Sequence, residues 1–91
     1  MKTIWKYRLD IEDVQQIQMP SEARILCVQT QDGMLYLWAE VDDEHFLEKR
    51  SFEIFGTGHK MTEYMGVDRE YIGTFQMHPC ALVFHVYEAK G

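Results

Sequence analysis

The sequence has few cysteines, few basic residues and no long apolar run, and each shortage excludes a class of protein. Cys27 and Cys80 are the only cysteines among 91 residues, too few for a disulfide framework, so we expect a reducing compartment. Nine Lys and Arg against fifteen Asp and Glu give a net charge of −6, which argues against direct nucleic-acid binding. No apolar run approaches the roughly 20 residues that span a bilayer. The N-terminal residues lack the apolar segment and small-residue cleavage site of a signal peptide.

What is present predicts one small globular domain over residues 1–91. The composition is 46% hydrophobic and 26% charged, too apolar for a disordered chain. Apolar and polar residues alternate with period two, as in Trp5, Tyr7 and Leu9, which is typical of half-buried strands. We therefore predict an all-β fold of about six antiparallel strands in hairpins, forming a small sandwich or a partly open barrel. The segment 42–50 is predicted as one helical turn capped by Asp42 or as a loop.

Two hairpins are predicted with their registers. Asp32-Gly33 is typical of a type I′ turn, which sets Gln31 opposite Met34, and Val28 opposite Leu37. It also sets Leu26 opposite Ala39. The expected core face of this hairpin holds Leu26, Val28, Leu35, Leu37, Ala39 and Val41.

In the second hairpin the expected turn is 78–81, between strands 71–77 and 82–88, and the last strand is expected to be central or covered on both sides. Gly73 is then opposite Val86, where close packing or a bulge would exclude a side chain. The expected core face holds Tyr71, Phe75, Met77, Leu82, Phe84 and Val86.

The other face of the first hairpin is a candidate interface. It mixes polar groups with Tyr36, Trp38 and Cys27, and exposed Tyr and Trp are favoured at interfaces. The alternative is that a second layer covers these residues, for instance the N-terminal strand with Trp5 and Tyr7. Self-association through the same face as a homo-oligomer is a further possibility.

The segment Gly56, Thr57, Gly58 and His59 is a candidate ligand-binding loop, because consecutive amides around glycine form anion-binding nests. It lacks the spacing of a phosphate-binding P-loop, and the alternative is a turn that ends a strand. Four histidines (His45, His59, His78 and His85) show no metal-ligand spacing. We expect His85 to bond Thr74 or a backbone carbonyl. With no assembled nucleophile, acid or base, we predict no enzyme, no cofactor and no metal site.

Several blocks of the sequence resemble a family of small tailed-phage proteins that is known only as a domain of unknown function. The blocks are residues 1–7, 25–29, 37–39, 55–59, 71–76 and 82–88. The resemblance implies phage or prophage origin and expression in the cytoplasm of a bacterial host. It carries no assigned catalytic or binding residues.

Three functions remain open at this point. The first is a non-enzymatic binding protein that stoichiometrically inhibits a host protein through Tyr36 and Trp38, with a protein of antiviral defence as the expected target. The second is a sponge for a nucleotide-derived signal at residues 56–59. The third is a minor virion or assembly component. None of them involves a membrane.

Overall fold

The computed structural model describes residues 1–61, 68–77 and 82–90, and these fold into seven strands with no helix. The sequence predicts about six strands, one fewer than the structure has, and the all-β prediction is confirmed. The strands are β1 (Lys2–Leu9), β2 (Val14–Pro20), β3 (Arg24–Gln31), β4 (Met34–Asp42), β5 (Leu47–Gly56), β6 (Asp68–Met77) and β7 (Leu82–Lys90).

The strands form two antiparallel sheets whose order is not that of a simple meander. The first sheet has the order β1-β4-β3 and the second has the order β2-β5-β7-β6. Only β3–β4 and β6–β7 are hairpins between consecutive strands, whereas β1 pairs with β4 and β2 with β5 across the chain. The last strand is internal, as its apolar faces predict, and the polar β2 lies at an edge.

The first hairpin has the predicted turn but contains a bulge. Asp32 and Gly33 have φ of 53° and 77°, the positive values that a type I′ turn requires. The register is as predicted from Gln31 to Cys27. It then shifts, so that Ile25, not Leu26, is opposite Ala39. Leu26 is 40% exposed and its assignment to the core face is wrong, because the extra residue leaves it outside the alternation.

The second hairpin follows the predicted register from Gly73 opposite Val86 to Met77 opposite Leu82. A bulge at Ile72 shifts the pairing between Tyr71 and Gly73. Tyr71 and Leu82 are each 55% exposed, so their assignment to the core face is wrong. The predicted turn 78–81 lies outside the described residues.

The core lies between the inner faces of the two sheets and is built from the predicted alternation. Its buried apolar residues include Leu9, Met19, Val28, Leu35, Leu37, Ala39, Val41, Phe52, Ile54, Phe75 and Val86. The sheets meet closely at β3 and β6, where a Cβ on Gly73 would lie 2.8 Å from Val28 Cγ2. No ladder joins β3 to β6 in the described chain, so the barrel is not closed there.

The connection between β4 and β5 is a turn rather than a helix. Asp42, the last residue of β4, accepts a hydrogen bond from the Glu44 amide at 3.1 Å, and the His45 amide donates to the Asp42 carbonyl at 3.1 Å. The Met1 ammonium lies 3.1 Å from a carboxylate oxygen of both Asp42 and Asp43. This turn therefore also fixes the start of β1.

Candidate binding face

The outer face of the first sheet gathers all three residues that the sequence marks as an interface. Tyr36 and Trp38 alternate with buried residues along β4, and Cys27 is opposite Trp38 on β3. All three are half-buried, and Cys27 is a free thiol. We call this surface the aromatic face. It consists of the outward side chains Lys2, Ile4, Lys6, Arg8, Arg24, Cys27, Gln29, Gln31, Met34, Tyr36, Trp38, Glu40 and Asp42.

The two aromatic rings of this face form one unit with a lysine. The centroids of Tyr36 and Trp38 are 6.0 Å apart, with the ring planes inclined at 59°. Lys6 Nζ lies 4.4 Å from the centroid of the Tyr36 ring and donates a hydrogen bond to Gln31 Oε1 at 3.2 Å. A cation over an aromatic ring is attracted by the negative ring face. The contact holds the charge of β1 beside the aromatic pair of β4.

The N-terminal strand does not cover the aromatic pair. It lies beside β4 in the same sheet, with Trp5 opposite Ala39 and Tyr7 opposite Leu37. Because directly opposite residues share a face, Trp5 and Tyr7 point to the inner side with the core. The alternative of a covering second layer formed by β1 is therefore wrong. None of the residues of the aromatic face is buried.

The inner position of Tyr7 leaves a polar group without a partner. Its hydroxyl is buried and has no hydrogen-bond partner within the described residues. Burial raises the pKa of the Tyr7 hydroxyl, because the charged form loses its hydration. This atom belongs to the core side and takes no part in the aromatic face.

The charge of the aromatic face is opposite to the charge of the chain. Lys2, Lys6 and Arg8 lie on β1 and Arg24 lies on β3, whereas Glu40 and Asp42 on β4 are the acidic residues of this face. Four of the nine basic residues thus lie on this face in a chain of net charge −6, and two of them, Lys6 and Arg8, are opposite Trp38 and Tyr36. Such a face attracts an acidic surface and repels a basic one.

The segment Gly56–His59 ends β5 in a turn that is bonded to neighbouring backbone. The Thr57 amide donates to the Val83 carbonyl at 3.1 Å, and the His59 amide donates to the Gly56 carbonyl at 3.0 Å. Gly58 has a φ of 86°, and the His59 ring packs over Gly56. Two of the amides that an anion nest would use are therefore already engaged within the protein.

A chain of hydrogen bonds crosses the outer face of the second sheet beside this turn. Thr57 Oγ1 lies 2.8 Å from His85 Nε2, and His85 Nδ1 lies 2.9 Å from Thr74 Oγ1. Thr74 Oγ1 in turn lies 2.5 Å from the Tyr71 hydroxyl. The predicted bond from His85 to Thr74 is confirmed. Both ring nitrogens are engaged by threonine hydroxyls, so this histidine links β5, β6 and β7.

Two buried ion pairs were not found by sequence reasoning. Glu53 is 1% exposed and accepts from Arg69 Nε at 2.7 Å, and Arg69 also lies over the Phe55 ring. Glu88 is 4% exposed and binds Arg50 through both carboxylate oxygens. The only sequence signal is local, since Glu53 lies between Phe52 and Ile54 and Glu88 follows the largely apolar run of β7.

The Arg50–Glu88 pair lies at one side of a cleft between the two sheets. Arg50 Nη1 also donates to the Ala23 carbonyl at 2.7 Å, which ties β5 to the start of β3. The cleft has a volume of about 470 Å³, and its other charged lining residues are Glu22, Arg24, Glu70 and Lys90. The Glu88 carboxylate raises the pKa of the Arg50 guanidinium through their hydrogen bonds. Acid and base are matched in this cleft, so it selects neither sign of ligand charge.

The described parts of the chain bring no three His, Cys, Asp or Glu side chains together as a metal site. Within the same residues no helix has the length and apolar character to cross a membrane. His78 and Cys80 lie outside the described residues.

Comparison with known proteins gives one family match. The model of a family described as "Domain of unknown function (DUF7352)" matches residues 1–91. Neither the curated proteins nor the solved structures contain a match to the chain.

Proposed function

We propose, for a chain that belongs to the DUF7352 family over residues 1–91, that it acts by binding a partner protein through the aromatic face, without catalysing a reaction. The observation that carries the proposal is the position of Tyr36 and Trp38. Their rings are paired, lie opposite the basic Lys6 and Arg8, and are left uncovered by β1. Tyr and Trp in such a position bury a large area on binding at a low entropic cost.

In this proposal the partner is a host protein in the cytoplasm of a bacterium, and binding inhibits it stoichiometrically. The resemblance of several sequence blocks to tailed-phage proteins supports this setting, with a protein of antiviral defence as the first target. A small chain with an uncovered aromatic pair beside basic side chains suits an inhibitor, because inhibition requires only that it cover a working surface of the target.

The sponge for a nucleotide-derived signal takes second place. It would use the amides of residues 56–59, and those of Thr57 and His59 already bond the carbonyls of Val83 and Gly56. The virion or assembly component stays a separate proposal. Detection of the protein in purified particles would favour it.

The test is capture of the partner from host cells that express the tagged protein. We expect a stoichiometric polypeptide with the native chain, and a loss of at least tenfold with Trp38→Ala or Tyr36→Ala. Phe46→Ala is the matched control, since Phe46 is an aromatic residue that is 74% exposed and lies in the β4–β5 turn. Equal capture by all three variants, each shown to be folded by circular dichroism, would place the interface elsewhere.

A purified partner then allows the inhibition itself to be measured. We expect the partner's activity to fall to a plateau when one equivalent of the native chain is added. The same amount of the Trp38→Ala variant is expected to leave the partner's activity unchanged. A native mass spectrum that shows a bound compound of a few hundred daltons per subunit, with no polypeptide, would instead favour the sponge.

A further inference from the structure

Strand β1 forms an edge of the first sheet and has a free side. It pairs with β4 on one side, and no other described strand lies beside it. A free edge is a template for a further strand, and natural proteins protect such edges or use them for binding. The inference drawn from this edge rests on the proposed function, because it specifies the partner's chemistry.

The register shows which backbone groups of β1 are free. The Asp43 amide donates to the Met1 carbonyl at 3.1 Å, so Met1 and Asp43 form a hydrogen-bonded pair. Such pairs alternate with non-bonded pairs along an antiparallel ladder. Residues 3, 5, 7 and 9 therefore bond β4, whereas Lys2, Ile4, Lys6 and Arg8 direct their amides and carbonyls away from it.

The same four residues place their side chains on the aromatic face. Lys2, Lys6 and Arg8 are positively charged and exposed, and Ile4 is 57% exposed. The intervening side chains point to the core side, where Trp5 is still 39% exposed. The free edge thus has a basic side and an apolar side.

We propose that an extended segment of the partner protein, with acidic and apolar side chains in alternation, adds to β1 as a further strand. Its backbone bonds the free amides and carbonyls of Lys2, Ile4, Lys6 and Arg8. Its acidic side chains face Lys2, Lys6 and Arg8, and its apolar side chains extend the core side next to Trp5. Opposite charges directly across two strands attract each other, and this sets the register of the added strand.

A second copy of β1 does not fit the same edge. The strand carries three basic residues and no acidic one, so pairing of two copies sets positive charge against positive charge. Charged edge residues are a common protection against such pairing. Dimerisation through β1 in sedimentation velocity at low salt would overturn this choice of occupant.

The direct test uses a synthetic octapeptide of alternating glutamate and valine, with a lysine–valine octapeptide as its control. Amide exchange of the free protein is expected to be slow at Thr3, Trp5 and Tyr7 and fast at Ile4, Lys6 and Arg8. The glutamate peptide at millimolar concentration is expected to slow amide exchange at Ile4, Lys6 and Arg8 at least tenfold. The lysine peptide is expected to leave both sets unchanged. The proposal fails if the glutamate peptide protects none of these three amides.

Variants separate the edge from the aromatic face. Ile4→Pro removes a free amide without removing a bond to β4, and proline is tolerated on edge strands. We expect Ile4→Pro to lower the affinity for the glutamate peptide at least tenfold, whereas Ile4→Ala changes this affinity less than threefold. An N-methylated Ile4, made by ligating a synthetic segment 1–26 to residues 27–91 at Cys27, keeps the side chain and is expected to match Ile4→Pro. Lys6→Glu is expected to lower the affinity for the glutamate peptide about fivefold.

The captured partner distinguishes failure of this inference from failure of the proposed function. If Ile4→Pro and Trp38→Ala both abolish capture, strand addition beside the aromatic face is supported. If Trp38→Ala abolishes capture and folded Ile4→Pro does not, the aromatic face is the interface and strand addition is overturned. If neither variant affects capture, both proposals fail.

Discussion

At the scale of single residues, Gly73 shows how closely the two sheets meet. A Cβ at this position would lie 2.8 Å from Val28 Cγ2, and Val28 is only 6% exposed. The alternation of the sequence predicts a special position at Gly73 from its opposition to Val86. It gives no indication of the contact with Val28, because β3 and β6 are far apart in the chain and share no ladder.

Gly73→Ala is expected to destabilise the protein by about 1–3 kcal/mol, the usual cost of overpacking a core. Val28→Ala removes the atom with which the new Cβ clashes. The double variant is therefore expected to be destabilised by less than the sum of the two single variants. Urea unfolding of the four proteins measures both effects. Gly56→Ala is the control, since its Cβ would meet only the exposed ring of His59, which can move away. Additive costs would show that the two residues do not share one space.

The buried glutamates are the residues that sequence reasoning missed. Glu88 is opposite the buried Phe52, and Glu53 is opposite Tyr87. Their arginine partners are distant in the chain, on the neighbouring strand β5 for Glu88 and on β6, beyond β7, for Glu53. Breaking a buried pair leaves a charge without compensation. Glu88→Gln is therefore expected to cost about 3 kcal/mol in the free energy of unfolding.

The matched control for this change is Glu70→Gln. Glu70 pairs with Lys90 at 2.5 Å on the surface, where solvent screens the interaction, so little change in stability is expected. Denaturant titration of the two variants gives the comparison. Equal stabilities would show that Arg50 finds another partner or solvent when Glu88 loses its charge.

At the scale of elements, the β4–β5 turn and the start of β1 are coupled through charge. The hydrogen bond from the Glu44 amide, with the Met1 ammonium, holds the pKa of Asp42 below its ordinary value of 3.8. In return, hydrogen bonds to Asp42 and Asp43 raise the pKa of the Met1 amine from 8.0 to about 10. The stability that Asp42 contributes is thus present above pH 3.8 and is lost as the pH falls below it.

The amine follows the opposite sign. Its contribution is complete below pH 8.0 and is lost as the pH rises toward 10. In a preparation that begins at Met1, Asp42→Asn is expected to move the pKa of this amine toward 8.0. In Glu44→Gln the pKa of the amine is expected to stay higher than in Asp42→Asn. The rate of acylation of the α-amine against pH measures both. An unchanged amine pKa in Asp42→Asn would show that Asp43 alone holds the ammonium.

The elements also show where sequence reasoning succeeds. Asp32-Gly33 predicts its turn and most of its register, because the chemistry of a two-residue loop is local. The bulge at Leu26 was not predictable, since Ile25 and Leu26 are both apolar and either satisfies the alternation. The same locality placed Tyr36, Trp38 and Cys27 on one face. Whether β1 lies over that face or beside it depends on a pairing across about 30 residues, which the sequence pattern does not specify.

At the scale of the whole molecule, charge is divided between one basic face and an acidic remainder. Fifteen acidic and nine basic residues give the chain its charge of −6, yet the aromatic face carries four bases and two acids. A partner that binds this face must approach an acidic molecule at its basic side. Such an arrangement affects the rate and orientation of encounter more than the final affinity.

The association rate of the captured partner is therefore expected to fall about tenfold between 50 mM and 500 mM salt, because screening shortens the range of these charges. Lys6→Glu together with Arg8→Glu is expected to slow association further and to remove most of the salt dependence. Lys49→Glu is the control, since Lys49 is an exposed base on β5 in the other sheet. Stopped-flow mixing followed by tryptophan fluorescence gives the rates. If the association rate is equally insensitive to salt in all variants, the partner binds a surface other than the aromatic face.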